Sequence, residues 1–428
     1  MKKSKYFNLF LVLILGLAFG PVTAADWPQW RGPERDGKSP EKGLLTKWPE
    51  GGPKLIWQST GMGVGYSSLS IHEGRLFTMG DLAEGQSVVA ADLNGGKVLW
   101  STKIGTPWKD RYGGARSTPT TDGDRIYAIS TEGDLFCLNA SSGEVVWKRS
   151  LTKEFNGKMA AGQNVDWRFS ESPLIDGDWV IVSPGMNDAA LVALDKKTGK
   201  EIWRSKIPNL GERGADGAAY SSVVISNGGG TKQYVQLLGR GVVGVEAKTG
   251  RYLWGYNRVA NDVANIATPI IHGDYVFTST GYNTGSALLK LSKDGGGVKA
   301  EEVYFLPGNE LQNHHGGMIL KDGYIYTGTA HNKGFPISVN MKTGEKAWGP
   351  VRNEGKGSAA VSYADGHLYF RYQNGLMVLI EATPEEYREK GSFMIPNINQ
   401  FSWSHPVIAD GKLYLREQDN LYCYDISG

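Results

Sequence analysis

Cysteine is scarce in this chain, with two residues among 428, so a scaffold held together by several disulfide bonds is excluded. A marked excess of charge is also missing, because 46 lysines and arginines stand against 44 aspartates and glutamates. Lys2, Lys3 and Lys5 account for the small positive excess, which leaves the rest of the chain nearly neutral. Such a chain has no reserve of positive charge for phosphates, so nucleic acid is not expected as a partner.

Long hydrophobic runs are absent except near the N-terminus. Residues 1–24 combine three lysines, an apolar run from Phe7 to Phe19 and small residues up to Ala24, which predicts a secretory signal peptide cleaved near Ala24 or Ala25. The alternative is a transmembrane anchor, but the run is shorter than the ~20 residues that a membrane span needs. No cysteine follows the run for lipid attachment. We therefore expect a secreted or periplasmic protein without a transmembrane segment.

Glycine and aromatic residues, by contrast, are abundant, with 58 Gly, 13 Trp and 20 Tyr. They belong to an internal repeat in which an Asp or Asn opens a turn, Gly closes it, and an aromatic residue ends the copy, as in residues 193–203. The mean period is about 48 residues. The aromatic residues that end the copies are Trp57, Trp100, Trp147, Trp203, Trp254, Phe305, Trp348 and Phe393.

A second series of turns lies in register with the first. Each copy carries a pair such as Asp322-Gly323 between two short apolar segments, and Asp-Gly in this setting is a strong hairpin signal because the turn needs positive φ. The corresponding glycines are Gly74, Gly123, Gly177, Gly228, Gly273, Gly323, Gly366 and Gly411. Two hairpins in each period give four antiparallel strands, which we call A to D.

Eight such units and no long helical segment predict an all-β fold, an eight-bladed β-propeller; a solenoid is the alternative. The C-terminal repeat ends three strands in, so the strand that ends at Trp57 is expected to complete the last blade and close the ring. We assign residues 25–50 to an N-terminal extended segment and 51–428 to the propeller. The Trp, Pro and Arg content of residues 27–33 indicates that this segment lies across one face of the disc. The six repeat-end tryptophans are expected to dock between neighbouring blades. Cys137 and Cys423 occupy equivalent places in different blades, and we expect both to be buried and unpaired.

The repeat element resembles the tryptophan-docking motif of eight-bladed propellers with pyrroloquinoline-quinone (PQQ)-like repeats. This family contains quinoprotein alcohol dehydrogenases and the BamB-like propeller of outer-membrane assembly. The motif is nearly ideal in residues 193–203 and recognisable in four other copies. Residues 27–33, 171–178, 313–317 and 381–387 also resemble a secreted bacterial subgroup. The resemblance covers the mature chain and implies the fold, whereas it implies little about activity.

Two departures from the family patterns limit what the resemblance implies about activity. The dehydrogenases carry two adjacent cysteines beneath their cofactor, and this chain has no Cys-Cys pair. The chain is also much shorter than those enzymes. The assembly lipoproteins carry a lipid-attachment cysteine, which is missing here. Neither activity is therefore transferred residue by residue.

The candidate site lies in the connections from strand D to the next strand A, which converge at one end of a propeller's central channel. These connections contain most of the polar residues that do not recur from copy to copy. Our candidates for ligand binding at this channel mouth are Arg116, Trp167, Arg168, Glu171, Tyr220, Asn313, His314, His315, Lys356, Trp403 and His405.

Three of the candidates interrupt a pattern of small residues that leads into strand A. Pairs such as Ser67-Ser68 occupy this place in most copies, whereas Glu171, His315 and His405 occur in three others. They either fill gaps between loops or converge to bind a polar ligand or a metal. His314 and His315 are a weak metal pair, because adjacent residues on a strand face opposite ways.

Arginines 111, 116, 168 and 213 lie in the same connections, near Trp167 and Trp403. Together they either hold a planar anion such as a quinone carboxylate or form salt bridges between loops. No metal site is assigned from the sequence.

Two function classes remain open at this point. The first is a binding or scaffold module of the cell envelope, a monomer that recognises an envelope protein or a small polar ligand. The second, implied by the resemblance, is a PQQ-dependent alcohol or sugar dehydrogenase in which Glu171 and an asparagine hold Ca²⁺. We favour the binding module and assign no cofactor, while PQQ with Ca²⁺ belongs to the alternative.

Overall fold

A computed structural model describes residues 26–160 and 166–428. The predicted signal peptide lies outside the described residues. The described chain forms eight separate four-stranded antiparallel sheets, each with its strands in the order A-B-C-D from the first hairpin to the last. The prediction of an eight-bladed β-propeller is therefore confirmed, and the solenoid is excluded.

The strands are short and the helical content is small. Blades 1 to 4 contain β2 (Ser70–His72), β3 (Arg75–Leu82), β4 (Gly85–Asp92), β5 (Val98–Gly105); β6 (Thr120–Asp122), β7 (Arg125–Ile129), β8 (Asp134–Asn139), β9 (Val145–Ser150); β10 (Leu174–Asp176), β11 (Trp179–Val182), β12 (Val192–Asp195), β13 (Glu201–Arg204); and β14 (Val224–Ser226), β15 (Gln233–Leu238), β16 (Gly241–Glu246), β17 (Tyr252–Tyr256). Blades 5 to 7 contain β18 (Ile270–His272), β19 (Tyr275–Thr280), β20 (Gly285–Asp294), β21 (Gly297–Pro307); β22 (Met318–Lys321), β23 (Tyr324–Thr329), β24 (Phe335–Asn340), β25 (Lys346–Trp348); and β26 (Ala359–Ala364), β27 (His367–Tyr372), β28 (Leu376–Glu381), β29 (Glu389–Met394). Blade 8 contains β30 (Val407–Ala409), β31 (Lys412–Glu417), β32 (Asn420–Asp425) and β1 (Lys54–Ser59), and the described chain also has a helix α1 (Leu151–Glu154) and a 3₁₀ turn (Gly228–Gly230).

The ring closes through the two ends of the described chain. Strand β1 pairs antiparallel with β32, with Lys54 opposite Asp425 and Ser59 opposite Leu421. The N-terminal strand therefore supplies strand D of blade 8, as predicted. Closure of this kind leaves no unpartnered blade at either end of the array.

The hairpins between strands A and B depart from the prediction in four blades. In blade 4 the expected Asn227-Gly228 turn is wrong, because Ser226 pairs with Gln233 across a longer loop that contains the 3₁₀ turn. Asp322-Gly323 is a two-residue turn, with φ of 49° and 82°, and blades 1, 7 and 8 have the same arrangement. In blades 2, 3 and 5 the turn instead starts at glycine, as in Gly177-Asp178. The expected Asp-Gly turn at Asp176 is therefore wrong by one residue, because Gly177 takes the positive φ of 61° alone. This shift changes which side chains of strand A face the axis.

Apolar clusters lie between adjacent blades, one at each of the eight contacts around the ring. At several contacts a repeat-end tryptophan lies against the glycine of the next blade's C–D turn. A Cβ on Gly143 would lie 2.6 Å from the Trp100 ring, and Gly199 stands similarly close to Trp147. The Trp100 indole also donates to the carbonyl of Ala140 in blade 2, 3.2 Å away. The remaining repeat-end tryptophans are Trp57, Trp203, Trp254 and Trp348.

The N-terminal segment, residues 26–50, crosses the face of the disc that carries the A–B turns. Trp27 forms a β-bridge with Ile71 in blade 1, and the Glu41 carboxylate accepts from two backbone amides at the A–B turn of blade 8. Between these points Arg35 donates to the carbonyls of Ser172 and Pro173 in blade 3. The segment therefore spans the central channel and closes this end of it.

Both cysteines are buried and unpaired, as expected. Within residues 26–160 and 166–428, no helix is long and apolar enough to cross a membrane.

Candidate functional site

Small polar residues surround the axis just before strand A in most blades. Each occupies the position four residues before the last residue of that strand, as Ser68 does before His72. Their hydroxyls accept hydrogen bonds from backbone amides of the preceding blade. These bonds run from Ser68 to Thr118 (3.0 Å), from Thr118 to Ser172 (2.9 Å), from Ser172 to Ser222 (3.0 Å) and from Ser222 to Thr268 (3.4 Å). The Ser68 hydroxyl itself donates to the His405 carbonyl of blade 8. The small side chains are thus part of a hydrogen-bonded arc that runs around the channel from blade 8 through blade 1 to blade 5.

Two residues further back along the chain, side chains again face the axis, because residues alternate sides with a period of two. Here they surround a cavity of about 320 Å³, which we call the axial cavity. This register contributes Tyr66, Arg116, Ser170, Tyr220, Ile266, His315 and Trp403 to its lining. Residues at the register in between point sideways into the blade contacts, with Ala267 the exception.

Aromatic side chains form the wall of the axial cavity near its mouth. Phe401 and Trp403 stack with ring centroids 4.8 Å apart and an interplanar angle of 7°. Tyr112 lies against both of them, and Tyr66 lies 4.7 Å from Trp403. On the facing side, Trp167 stands 6.2 Å from Tyr112. We call these five residues the aromatic wall.

The N-terminal segment supplies the floor of the cavity. Trp30 and Arg31 are lining residues, and the Trp30 indole contacts the His405 ring edge-on, with centroids 4.5 Å apart. Gly317 lies beside them, and a Cβ there would stand 1.8 Å from Nη1 of Arg31. We call Trp30, Arg31, Gly317 and His405 the floor. The cavity is therefore closed on the side of the A–B turns and opens toward the D–A connections.

Histidines occupy one side of the cavity and are neutral. The rings of His314 and His315 lie 4.4 Å apart, as do those of His314 and His331. Burial, together with the neighbouring imidazoles, lowers the pKa of His314 to about 2. Burial, His405 and Arg116 lower the pKa of His315 to about 3, and burial also lowers the pKa of His405. The imidazoles therefore act as neutral donors and acceptors at physiological pH.

The cavity carries positive charge and no negative charge. Arg31, Arg111 and Arg116 line it, whereas no Asp or Glu is among its lining residues. Burial lowers the pKa of Arg116 only to about 10, so this guanidinium is charged at neutral pH. It lies over the Trp108 ring at 4.6 Å and donates to the Tyr112 carbonyl.

The structure brings together seven of the eleven predicted site residues. The lining includes Arg116, Trp167, Tyr220, His314, His315, Trp403 and His405. Arg168 is exposed and pairs with Asp166, Lys356 is exposed, and Asn313 is buried with its amide donating to Thr327. None of these three lines the cavity.

Glu171 is the fourth residue outside the cavity, and its place follows from the turn shift in blade 3. It lies five residues before the end of strand A and points into the contact with blade 4. Its carboxylate accepts from the Ser183 amide (2.7 Å) and hydroxyl (2.9 Å) and from Gln236 (3.4 Å). It is 2% exposed, and burial raises its pKa to about 7 despite these bonds and the nearby Arg35.

Sequence reasoning missed two groups of lining residues. Trp30 and Arg31 come from the N-terminal segment, which was expected to lie across one face of the disc but was not expected to line the channel. Tyr282, Asn332 and Gln373 come from B–C turns, which reach the same face of the disc as the D–A connections. An ideal propeller frame would have placed the B–C turns there, whereas the path of the segment has no periodic signal.

A family model described as "Outer membrane protein assembly factor BamB" matches residues 84–350. The chain belongs to this family of PQQ-like propellers. The polyvinylalcohol dehydrogenase of Sphingopyxis sp. (strain 113P3) is 28% identical over 167 residues, which are 36% of this chain and 24% of that one. The BamB of Burkholderia pseudomallei (strain K96243) is 28% identical over 126 residues, 28% of each chain. The match thus spans about a quarter of each of these relatives.

Solved structures share the fold of this PQQ-like propeller. The quinohemoprotein alcohol dehydrogenase from Comamonas testosteroni has a TM-score of 0.67 at 13% identity, covering 94% of this chain and 81% of that one. BamB from Moraxella catarrhalis has a TM-score of 0.55 at 12% identity, covering 83% and 99%. At these identities the likeness establishes the fold alone.

The residues around the axial cavity do not fit the calcium of a quinoprotein. Ca²⁺ takes six to eight oxygen ligands, with carboxylates prominent among them, and no carboxylate lines the cavity. Within the described parts of the chain, no group of three or more His, Cys, Asp or Glu is placed to hold a metal ion. The Glu171 carboxylate, the expected calcium ligand, is turned toward Ser183. The aromatic wall and the arginines suit a planar anion, but the cation that would accompany PQQ has no ligand set here.

Proposed function

We propose that this PQQ-like propeller is an extracytoplasmic binding module of the cell envelope whose axial cavity takes a small ligand. The observation that supports it is the cavity itself, which is closed at one end, walled by aromatic rings and about 320 Å³ in volume. Ligand pockets are mostly apolar concavities of about 300–1,000 Å³ with a few convergent polar groups. The envelope setting rests on the predicted signal peptide and on the BamB relatives, and a monomer remains our prediction.

The dehydrogenase alternative lacks a group to accept the substrate proton. A general base works best with a pKa near the operating pH, and the cavity contains no carboxylate. The pKa values of about 2 and about 3 at His314 and His315 make these imidazoles weak bases. The His315 ring, whose Nε2 has no hydrogen-bond partner, can serve a bound ligand, whereas Ser358 and Tyr282 engage both ring nitrogens of His314.

The test of binding is a ligand-observed NMR screen of the mature protein with aromatic acids, amides, amines and sugars. We expect hits whose signals disappear in Trp403→Ala, because this change removes part of the aromatic wall. Trp179→Ala is the matched control, since Trp179 lies on β11 outside the cavity, and it should retain the hits. A screen in which no hit depends on Trp403 would overturn the proposal.

A second assay separates binding from catalysis. The mature protein is titrated with PQQ with and without Ca²⁺, and alcohol-dependent dye reduction is followed on the same sample. We expect no dye reduction and no calcium dependence. Calcium-dependent PQQ binding with alcohol-dependent turnover would establish the dehydrogenase instead. Cell fractionation with N-terminal sequencing of the mature chain tests the extracytoplasmic location.

A further inference from the structure

We propose that the axial cavity is selective for an aromatic monocarboxylate that enters acid first, with its carboxylate at the floor and its ring in the aromatic wall. This inference rests on the proposed function and names the ligand class of the same site. It also assigns to Arg31, in the N-terminal segment, the recognition of the acid.

The floor contains a buried guanidinium whose hydrogen bonds are incomplete. Arg31 is 5% exposed, and its Nη2 donates to the carbonyls of Asp36 and Met318. Its Nη1 is buried without a hydrogen-bond partner. A buried donor without an acceptor costs about 1–3 kcal/mol, and more when it is charged. A ligand that places an acceptor at the floor would recover this free energy.

Arg31 also has no ion-pair partner among the described residues, although the charge of the nearby Asp36 carboxylate favours its charged form. It forms no ion pair within 4 Å in the described parts of the chain, because the neighbouring Asp36 carboxylate pairs with Lys38 at 2.8 Å. Burial lowers the pKa of Arg31 to about 10, so the side chain is cationic at neutral pH. A buried cation without a partner is unfavourable, and a carboxylate is the acceptor whose shape and charge match a guanidinium.

A second unpartnered group faces the same point of the floor. His405 is 6% exposed, and its Nδ1 is buried without a hydrogen-bond partner. The place that a Cβ on Gly317 would take lies 1.8 Å from Arg31 Nη1 and 3.1 Å from His405 Cε1. Only glycine at this position lets the Arg31 guanidinium pack this close to the backbone, beside the His405 ring. Arg31 and a neutral His405 with Nδ1 protonated are then both donors, and one carboxylate has acceptors for both.

The wall above the floor selects the rest of the ligand. Phe401 and Trp403 present stacked faces, and Tyr66, Tyr112 and Trp167 complete an apolar enclosure in which a planar ring gains stacking contacts. The amide acceptors nearby are already engaged, since Gln373 Oε1 accepts from Trp403 and Asn332 Oδ1 accepts from Ser358. A sugar would bring hydroxyl donors that find few free acceptors, and a cation would meet like charge.

The experiment compares 4-iodobenzoate with its neutral isostere 4-iodobenzamide by calorimetry on the native mature protein. We expect the acid to bind at least tenfold more tightly, because only the acid neutralises Arg31. Equal affinities, or tighter binding of the amide, would overturn this inference while leaving the proposed function intact. If neither compound binds although other fragments bind in a Trp403-dependent way, the inference is wrong and the binding module stands. The proposed function itself would be wrong if no ligand bound in a Trp403-dependent way.

Two further experiments test the orientation of the bound ligand and the role assigned to Arg31. In crystals with 4-iodobenzoate, the anomalous signal of iodine should lie in the aromatic wall; iodine at the floor would contradict the acid-first pose. Arg31→Met should abolish the preference for acid over amide. Arg388→Met is the control, because Arg388 lies outside the cavity and pairs with Glu381 and Glu385, and it should retain the preference. Melting temperatures show whether each variant is folded. If Arg31→Met does not fold, the comparison of acid and amide on the native protein still tests the selectivity for a carboxylate.

Discussion

At the scale of single residues, the contact between blades 7 and 8 contains a fully buried ion pair. Arg371 and Glu417 are 0% and 1% exposed and lie 2.7 Å apart. The guanidinium also donates to Ser402 and to the Ser404 carbonyl. Burying a charge is unfavourable unless its partner remains, so the pair specifies how the two blades dock rather than adding large stability.

Removing one member of this pair should therefore destabilise the protein strongly. We expect Arg371→Met to lower the free energy of unfolding by about 3–5 kcal/mol, because it leaves the Glu417 carboxylate buried without a counter-ion. Arg388→Met is the control, since Arg388 pairs with partly exposed carboxylates, and such pairs contribute about 0–1 kcal/mol. Denaturant unfolding of both variants measures the difference. Similar losses of unfolding free energy in the two variants would show that burial does not determine how much an ion pair contributes to stability.

Glu171 should make the stability of the protein depend on pH. Its pKa is raised from 4.5 to about 7 in the folded protein, so between these values the folded state holds a proton that the unfolded state has released. The free energy of unfolding therefore decreases by about 3 kcal/mol as the pH rises from about 4.5 to about 7. Glu171→Gln should remove this slope, and Glu34→Gln, at an exposed position, should not. Unfolding midpoints at several pH values measure it, and an unchanged slope in Glu171→Gln would refute the assignment.

The same residue illustrates what the sequence alone does not settle. If the blade 3 turn were Asp176-Gly177, Glu171 would stand at the register of His405 and face the axis. The turn is Gly177-Asp178, which moves Glu171 by one position and, since strand residues alternate sides, into a blade contact. Both turns satisfy the requirement for positive φ at glycine, so local turn chemistry does not choose between them.

At the scale of elements, the strands were predictable because eight copies repeat the same turn and strand signals. The N-terminal segment was predictable only as far as its place across one face of the disc. Its path was not, because the segment is a single copy without periodicity and makes contacts with seven blades. These contacts include the Trp27 bridge to Ile71 and the hydrogen bond from Ser39 to the Tyr363 carbonyl. Seven of the lining residues, His405 of the floor among them, followed from the repeat, whereas Trp30 and Arg31 depended on this one segment.

Two tryptophans of the segment should have different roles. Trp27 is 2% exposed in the core between blades 8 and 1, so Trp27→Ala should lower the free energy of unfolding by about 3–5 kcal/mol. Trp30 lines the cavity and is partly exposed to it, so Trp30→Ala should lower stability less but weaken binding of 4-iodobenzoate. Denaturant unfolding and calorimetry on both variants test this. A larger loss of stability in Trp30→Ala would contradict the packing described here.

At the scale of the whole molecule, stability depends on ring closure. Blades 1 to 7 are continuous in the chain, whereas blade 8 is completed only when β1 pairs with β32 across nearly the whole length of the sequence. Each blade buries its apolar faces against two neighbours. Loss of the closing pair therefore exposes the cores on both sides of blade 8, whereas fraying of an ordinary hairpin affects one blade.

A covalent link across the closing pair should slow unfolding more than a link within a hairpin. Lys54→Cys with Asp425→Cys places a disulfide between facing residues of β1 and β32, and Lys290→Cys with Glu301→Cys does the same within blade 5. The first link closes a far longer loop and holds the ring shut, so the chain-entropy difference favours it by about 3 kcal/mol. We expect unfolding to slow at least tenfold for the first link and little for the second, measured with and without reductant. Cys137 and Cys423 are buried and should not exchange with the new pair. Equal slowing by both links would mean that the ring does not begin to unfold at blade 8.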